Sequence, residues 1–132
     1  MDDARLDGLL AAARNVRGHA HAPYSGFAVG AATLDGDRIS VGVNIENASF
    51  PVGVCAEQNA LAAMVASGGK ILDAVAIVTD AARPTPPCGA CRQALWEFGS
   101  AEAVVVAETL GGARTVWSLG DLLPSPFERG TT

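Results

Sequence analysis

Leu6, Leu9, Leu10, Ala13 and Val16 recur at three- and four-residue steps, which predicts an amphipathic helix over roughly residues 3 to 17, ending near Gly18. The run from Phe27 to Leu34, the triplet Asp35-Gly36-Asp37 and the run from Ile39 to Val43 predict two antiparallel strands around a tight turn. Beyond Asn44 the chain passes Pro51 and Gly53 with no regular period. Ala56 to Ala66 then predicts a small-residue helix with Ala60, Leu61, Met64 and Val65 on its buried face, stopped by Gly68 and Gly69. Ile71 to Thr79 predicts a short apolar strand, the loop through Pro84, Pro86 and Pro87 breaks it, and Gly89 to Phe98 predicts another helix.

Ala103 to Ala107 and Arg114 to Trp117 are the last predicted strands. The segment from Glu108 to Ala113 between them is too short for a right-handed helical crossover, so the two should run antiparallel. Leu119 to Leu123 predicts a terminal turn of helix, stopped by Pro124. This order of elements implies one mixed sheet covered by helices. The chain has 132 residues and a mass of 13.4 kDa, which suits one domain over residues 1–132.

Charge narrows the candidate partners. A net charge of −5 and a pI near 4.8 offer no long-range attraction to nucleic acid or to an anionic membrane. Only 17% of residues are charged against 49% hydrophobic, so part of the apolar surface is expected to meet another subunit. The sequence shows no basic N-terminal region leading into an apolar stretch and no long apolar run, and the expected location is cytoplasmic.

Cys55, Cys88 and Cys91 cannot all pair with one another, and an odd set containing C-x-x-C suits a metal better than a disulfide framework. Cys55-Ala56-Glu57 stands where one predicted helix begins, and Pro87-Cys88-Gly89-Ala90-Cys91 where the next does. Helix N-termini stabilise thiolates, so three sulfurs can converge there on zinc. Zinc with three protein ligands keeps a fourth position for water and acidifies it. Glu57, two residues after a ligand, can then shuttle protons without binding the metal, which is the division of labour in hydrolytic deamination of a nucleobase. His19 and His21 have no ligand spacing with the thiols and read as loop or interface residues.

From Tyr24 to Phe127 the chain resembles the cytidine deaminases of the small homotetrameric class. The resemblance is carried by Ser25-Gly26-Phe27-Ala28-Val29-Gly30-Ala31, Asn44-Ile45-Glu46-Asn47-Ala48, Cys55-Ala56-Glu57 and Pro87-Cys88-Gly89-Ala90-Cys91-Arg92-Gln93, in that order. It implies a single-domain α/β/α three-layer fold around a central five-stranded mixed sheet. It also implies a Zn²⁺ enzyme that converts cytidine and 2′-deoxycytidine to the uridines with release of ammonia. By the same resemblance Cys55, Cys88 and Cys91 would ligate zinc and Glu57 would be catalytic. Asn44 and Glu46 would bind the sugar hydroxyls, Phe27 would line the pocket, and the Ala56 backbone would contact the base. Phe127 would enter the pocket of a neighbouring subunit, completing sites in a homotetramer.

Two positions depart from that class. Gln58 stands where Arg commonly follows Cys-Ala-Glu, so a trithiolate site lacks one nearby cation and Arg92 becomes the remaining charge-tuning residue. Phe50 stands where Tyr is frequent. The departures leave open two further readings: a deaminase of a modified cytosine nucleoside, such as a blasticidin-like aminohydrolase, and a noncatalytic zinc-stabilised binding module.

Overall fold

The protein is described by a computed structural model covering residues 1–130; Thr131 and Thr132 of the expected domain span lie outside the described residues. Helix α1 (Asp3–Val16) starts at Asp2, whose carboxylate accepts the Arg5 N–H at 2.9 Å, as a capping residue should. It ends in a 3₁₀ turn over Arg17–His19. Strands β1 (Gly30–Asp35) and β2 (Arg38–Val43) form the expected hairpin, with Gly36 supplying the positive φ of the turn at +61°. Helix α2 (Ala56–Ala66), strand β3 (Ala74–Thr79), helix α3 (Gly89–Trp96), strands β4 (Val104–Thr109) and β5 (Arg114–Ser118) and the short α4 (Leu119–Leu122) follow.

The sheet order is β2-β1-β3-β4-β5, with β3 and β4 parallel and the other neighbours antiparallel, including the β4–β5 pair. Alternation along the strands divides the core into two layers. On one face Leu6, Leu9, Leu10 and Ala13 of α1 pack on Ala32, Leu34, Ala76 and Val78. On the other, Ala60, Leu61 and Met64 of α2 and Leu95 of α3 pack on Ala31, Val75, Ile77 and Val105. This is the expected three-layer α/β/α arrangement, and central β3 is buried along its length as a strand covered on both faces must be. A Cβ at Gly42 would collide with Ala60 N and Ala56 O, so this glycine lets α2 sit directly on β2 and fixes where α2 begins.

Among the element boundaries that differ from the sequence expectation, three have a visible hydrogen-bond cause. Strand β1 begins at Gly30 rather than Phe27, because the backbone of 27–29 pairs with Asn44 instead of extending the ladder: Val29 N–H donates to Asn44 Oδ1 at 2.8 Å and Asn44 Nδ2 donates to Phe27 O at 2.7 Å. Strand β3 begins at Ala74 rather than Ile71, since Leu72 N–H is taken by Phe98 O and Ile71 is exposed. Helix α3 stops at Trp96, where Phe98 N–H and Gly99 N–H both turn back to Leu95 O. No helix among the described residues is long and apolar enough to cross a membrane.

Candidate active site

Cysteine is an unusual helix cap, yet both inner-face helices start at one. Cys55 precedes α2 and Cys88 precedes α3, each with extended backbone and neither making a side-chain capping hydrogen bond. The sulfurs therefore lie at the positive ends of two helices, whose field favours thiolate. Cys91, fully buried one turn into α3, completes the set.

The three Sγ atoms lie within 4.8 Å of one another, and they are the one cluster of metal-binding side chains among the described residues. Sulfurs about 2.3 Å from a tetrahedral zinc stand roughly 3.8 Å apart, so modest closure makes this a zinc site. The donor set fits: soft sulfur, three ligands and no fourth protein group. Without metal the thiols share protons. Hydrogen bonding from Cys91 pulls the Cys55 thiol down to about 6, against the effect of its burial, while the Cys91 thiol is pushed up by its bond to Cys55 and by burial. Neither histidine joins the cluster, and the His21 backbone instead pairs with the 44–46 segment.

Glu57, in the first turn of α2, is 7% exposed and is in no ion pair among the described residues. Burial pushes its carboxyl up to about 7; its own backbone N–H pulls the other way, Cys55 reinforces the rise and the Cys91 thiol opposes it. A buried carboxyl without a cationic partner beside three sulfurs is costly for stability and useful for proton transfer near neutral pH.

A cavity of about 490 Å³ opens beside Cys55, large enough for a small ligand. Asn44 and Glu46 line it together with Tyr24, Ser25 and Phe50. Neither Lys nor Arg lines it, and Glu46 is the acid in its wall. Glu46 accepts the N–H groups of Tyr24 and Ser25 at 3.0 and 3.1 Å and the Ser25 hydroxyl, and these bonds hold its carboxyl below the usual range, with Ser25 the main cause. Asn44 spends one donor and one acceptor on Phe27 O and Val29 N–H, keeping one of each free.

Other sequence-predicted residues fall around rather than in this cavity. Ala56 is buried at the start of α2, next to Cys55. Phe27 is held beside the cavity by its backbone bonds to Ser25 Oγ and Asn44, while Tyr24 and Phe50 supply the lining aromatics. Phe50 is 91% exposed at the rim, so a hydroxyl there would face outward, not into the core. Gln58 donates from Nε2 to Cys91 Sγ at 3.7 Å. The Arg92 guanidinium is engaged with Pro87 O and Leu122 O, both at 2.8 Å, which ties the turn before Cys88 to the C-terminal segment. Phe127 is 74% exposed and lines a separate groove with Gln93 and Trp96. Its backbone is clamped by the Gln93 amide, N–H to Oε1 at 3.0 Å and O from Nε2 at 2.8 Å.

Ser25 opens the first matched motif and Tyr24 precedes it, but the sequence alone assigns neither to the cavity, because the loop that brings them to Glu46 is built from side-chain hydrogen bonds with no period.

Three converging sulfurs, a buried carboxyl and an adjoining, largely apolar cavity carrying Asn44 and Glu46 on an α/β/α sheet define a zinc-dependent hydrolase acting on a small amine-bearing ring. The sequence model of the family described as "Cytidine and deoxycytidylate deaminase zinc-binding region" matches residues 5–108, and the chain belongs to that family. Among its relatives, the cytidine deaminase of Halalkalibacterium halodurans is 43% identical over 121 residues, 90% of this chain and 91% of that one. The crystal structure of cytidine deaminase from Burkholderia pseudomallei superposes with a TM-score of 0.88 at 41% identity, covering 96% of this chain and all of that chain. That from Mycobacterium tuberculosis gives a TM-score of 0.80 at 37% identity, covering 98% of this chain and 100% of that chain.

Proposed function

We propose that the chain is a zinc-dependent cytidine deaminase that hydrolyses cytidine and 2′-deoxycytidine to uridine and 2′-deoxyuridine with release of ammonia, a step of pyrimidine salvage. The observation that carries this reading is the buried Glu57, in no ion pair among the described residues, beside the three converging cysteines. Cys55, Cys88 and Cys91 hold the zinc, which as a Lewis acid makes water ionisable near neutral pH. Glu57 accepts the proton that water loses as its oxygen bonds to C4, and gives it to N3 of the ring. A second proton passes through the Glu57 carboxyl to the C4 amine as the C4–N bond breaks, so water and cytidine become uridine and ammonia. The Ala56 backbone meets the base, Asn44 and Glu46 meet the sugar hydroxyls, and Phe27 closes the wall beside them.

The substrate is a nucleoside rather than a nucleotide. A cavity lined by Glu46 and by no cationic side chain repels a phosphate, whereas the charge-bearing hydrogen bonds of an ionised carboxylate suit a hydroxyl. The protein acts in the cytoplasm, where its three free thiols stay reduced. It assembles as a homotetramer in which Phe127 of one subunit reaches the cavity of another; Phe127 lines a groove apart from its own cavity.

The test is ammonia release by the zinc-loaded protein from cytidine and from cytidine 5′-monophosphate, with Glu57→Gln as control. Cytidine should be turned over and the monophosphate should not. Glu57→Gln should fold and keep zinc while losing about 10²- to 10⁴-fold in kcat, the usual worth of a general acid–base. Near-normal turnover by Glu57→Gln removes it from the proton path. No release from cytidine with zinc bound redirects the assignment to a modified cytosine nucleoside or to a noncatalytic zinc-stabilised module.

A further inference from the structure

Ser25 has no role in the reading above, yet it joins the two parts of the cavity wall. Its hydroxyl sits between Phe27 N–H, at 3.0 Å from Oγ, and Glu46 Oε2. The direction of the proton follows from chemistry. Glu46 is ionised at neutral pH and has none to give, so Ser25 O–H donates to Oε2, while an Oγ lone pair accepts from Phe27. No other rotation of the hydroxyl serves both bonds.

The consequence for Glu46 is a count of its acceptor sites. An ionised carboxylate offers about four. Oε1 takes two backbone N–H groups, from Tyr24 and Ser25, and Oε2 takes the Ser25 hydroxyl, which leaves one acceptor position, on Oε2. We propose that Ser25 is the positioning residue of the sugar subsite: its hydroxyl, aimed by the Phe27 N–H, fixes which oxygen of Glu46 stays open to a sugar hydroxyl and ties that oxygen to the backbone presenting Phe27. This rests on the assignment of Glu46 to the sugar. Removing the Ser25 hydroxyl frees the carboxylate to turn and exposes a second acceptor position to water, so the ordering of Glu46 is left to the substrate. The reacting atoms lie at the cysteines and Glu57, outside this unit, so the effect belongs to substrate capture rather than to turnover.

The experiment compares Ser25→Ala, Ser25→Thr, Glu46→Ala and the double variant Ser25→Ala/Glu46→Ala as zinc-loaded enzymes with cytidine as substrate. Ser25→Ala should raise KM about tenfold with kcat within about twofold, the size expected for a hydrogen bond to a charged group. Ser25→Thr, which keeps the hydroxyl and also shows that position 25 tolerates change, should return KM to within about twofold of the parent. The double variant should lose clearly less than the sum of the two single losses, because Ser25 acts mainly through that carboxylate and keeps only its bond to Phe27 N–H apart from it. An unchanged KM in Ser25→Ala beside a raised KM in Glu46→Ala overturns the role of Ser25 and leaves the sugar assignment standing. An unchanged KM in Glu46→Ala overturns both. Additive losses in the double variant, or a kcat loss in Ser25→Ala equal to its KM rise, also overturn it, since the hydroxyl would then act by another route.

Discussion

Gln58 is the neutral side chain that touches the thiol cluster where a cation would otherwise offset its charge. Its Nε2 donates to Cys91 Sγ at 3.7 Å, a neutral contact to a sulfur that becomes anionic when metal binds. Arg92 cannot take over as a direct partner through the bonds it makes, since its guanidinium is spent on Pro87 O and Leu122 O. Its charge still lies on α3 near the cysteines, but its visible work is to pin the turn that presents Cys88. Gln58→Arg would place a cation at the position of that neutral donor, and a nearby opposite charge favours ionised forms. The ionisation that limits kcat/KM on the acid side should then move to lower pH by about one unit. A pH–rate profile of Gln58→Arg that overlays the parent's would show that the dipoles of α2 and α3 already neutralise the site. These residues were legible in the sequence because thiols and a carboxylate at helix starts have few other uses. Ser25 and Tyr24 were not, because their contribution is a set of loop hydrogen bonds to Glu46 that no spacing announces.

At the scale of elements, the sequence pattern located every α-helix and strand, but not the 3₁₀ turn at Phe50–Val52 nor where each element begins and stops. The β1 start failed because the amide side chain of Asn44 competes for the 27–29 backbone, and the α3 end failed because Phe98 N–H and Gly99 N–H both find Leu95 O. The same kind of side-chain competition holds the hairpin. Asp35 Oδ2 at the end of β1 accepts the N–H groups of Lys70 and Ile71 at 2.8 and 3.3 Å, fastening the α2–β3 connection to the β1–β2 turn. These two bonds, led by Lys70 N–H, hold the Asp35 carboxyl below its ordinary value of 3.8. A lowered folded-state pKa means that the unfolded chain binds the proton first. The stabilisation is therefore complete above the unfolded value and is lost as pH falls through the folded one. Asp35→Asn lacks that ionised acceptor, so the parent should be the more stable at about pH 5 and the gap should close toward about pH 3. Urea midpoints of both proteins across that range measure it. A gap that stays constant would mean that the charge of Asp35 contributes nothing to the turn.

The whole molecule leaves large apolar groups uncovered that its own folding does not explain. Phe50 is 91% exposed, Phe127 74% and Tyr24 66%; Phe50 and Tyr24 ring the cavity, whereas Phe127 sits in a separate groove. Low charge pointed to a subunit interface in the sequence, but which residues meet was given only by resemblance, because contacts between chains leave no periodicity within one. Two amide hydrogen bonds from Gln93 fix the backbone of Phe127 while its ring remains exposed. If Phe127 serves a neighbour, the defects in Glu57→Gln and Phe127→Ala reside in different subunits' contributions to one site. Co-expressed, the two variants would form sites that combine Glu57 of one subunit with Phe127 of the other. With random assembly about a quarter of the sites are then fully wild type in both residues. Activity of the mixed tetramer should accordingly exceed the mean of the two separately purified variants, at a KM close to the parent's. If Phe127 served its own subunit, every site would carry one of the two lesions and mixing would restore nothing. Measured alongside the mass of the assembly by light scattering, mixed activity equal to that mean would refute a shared site even in a tetramer.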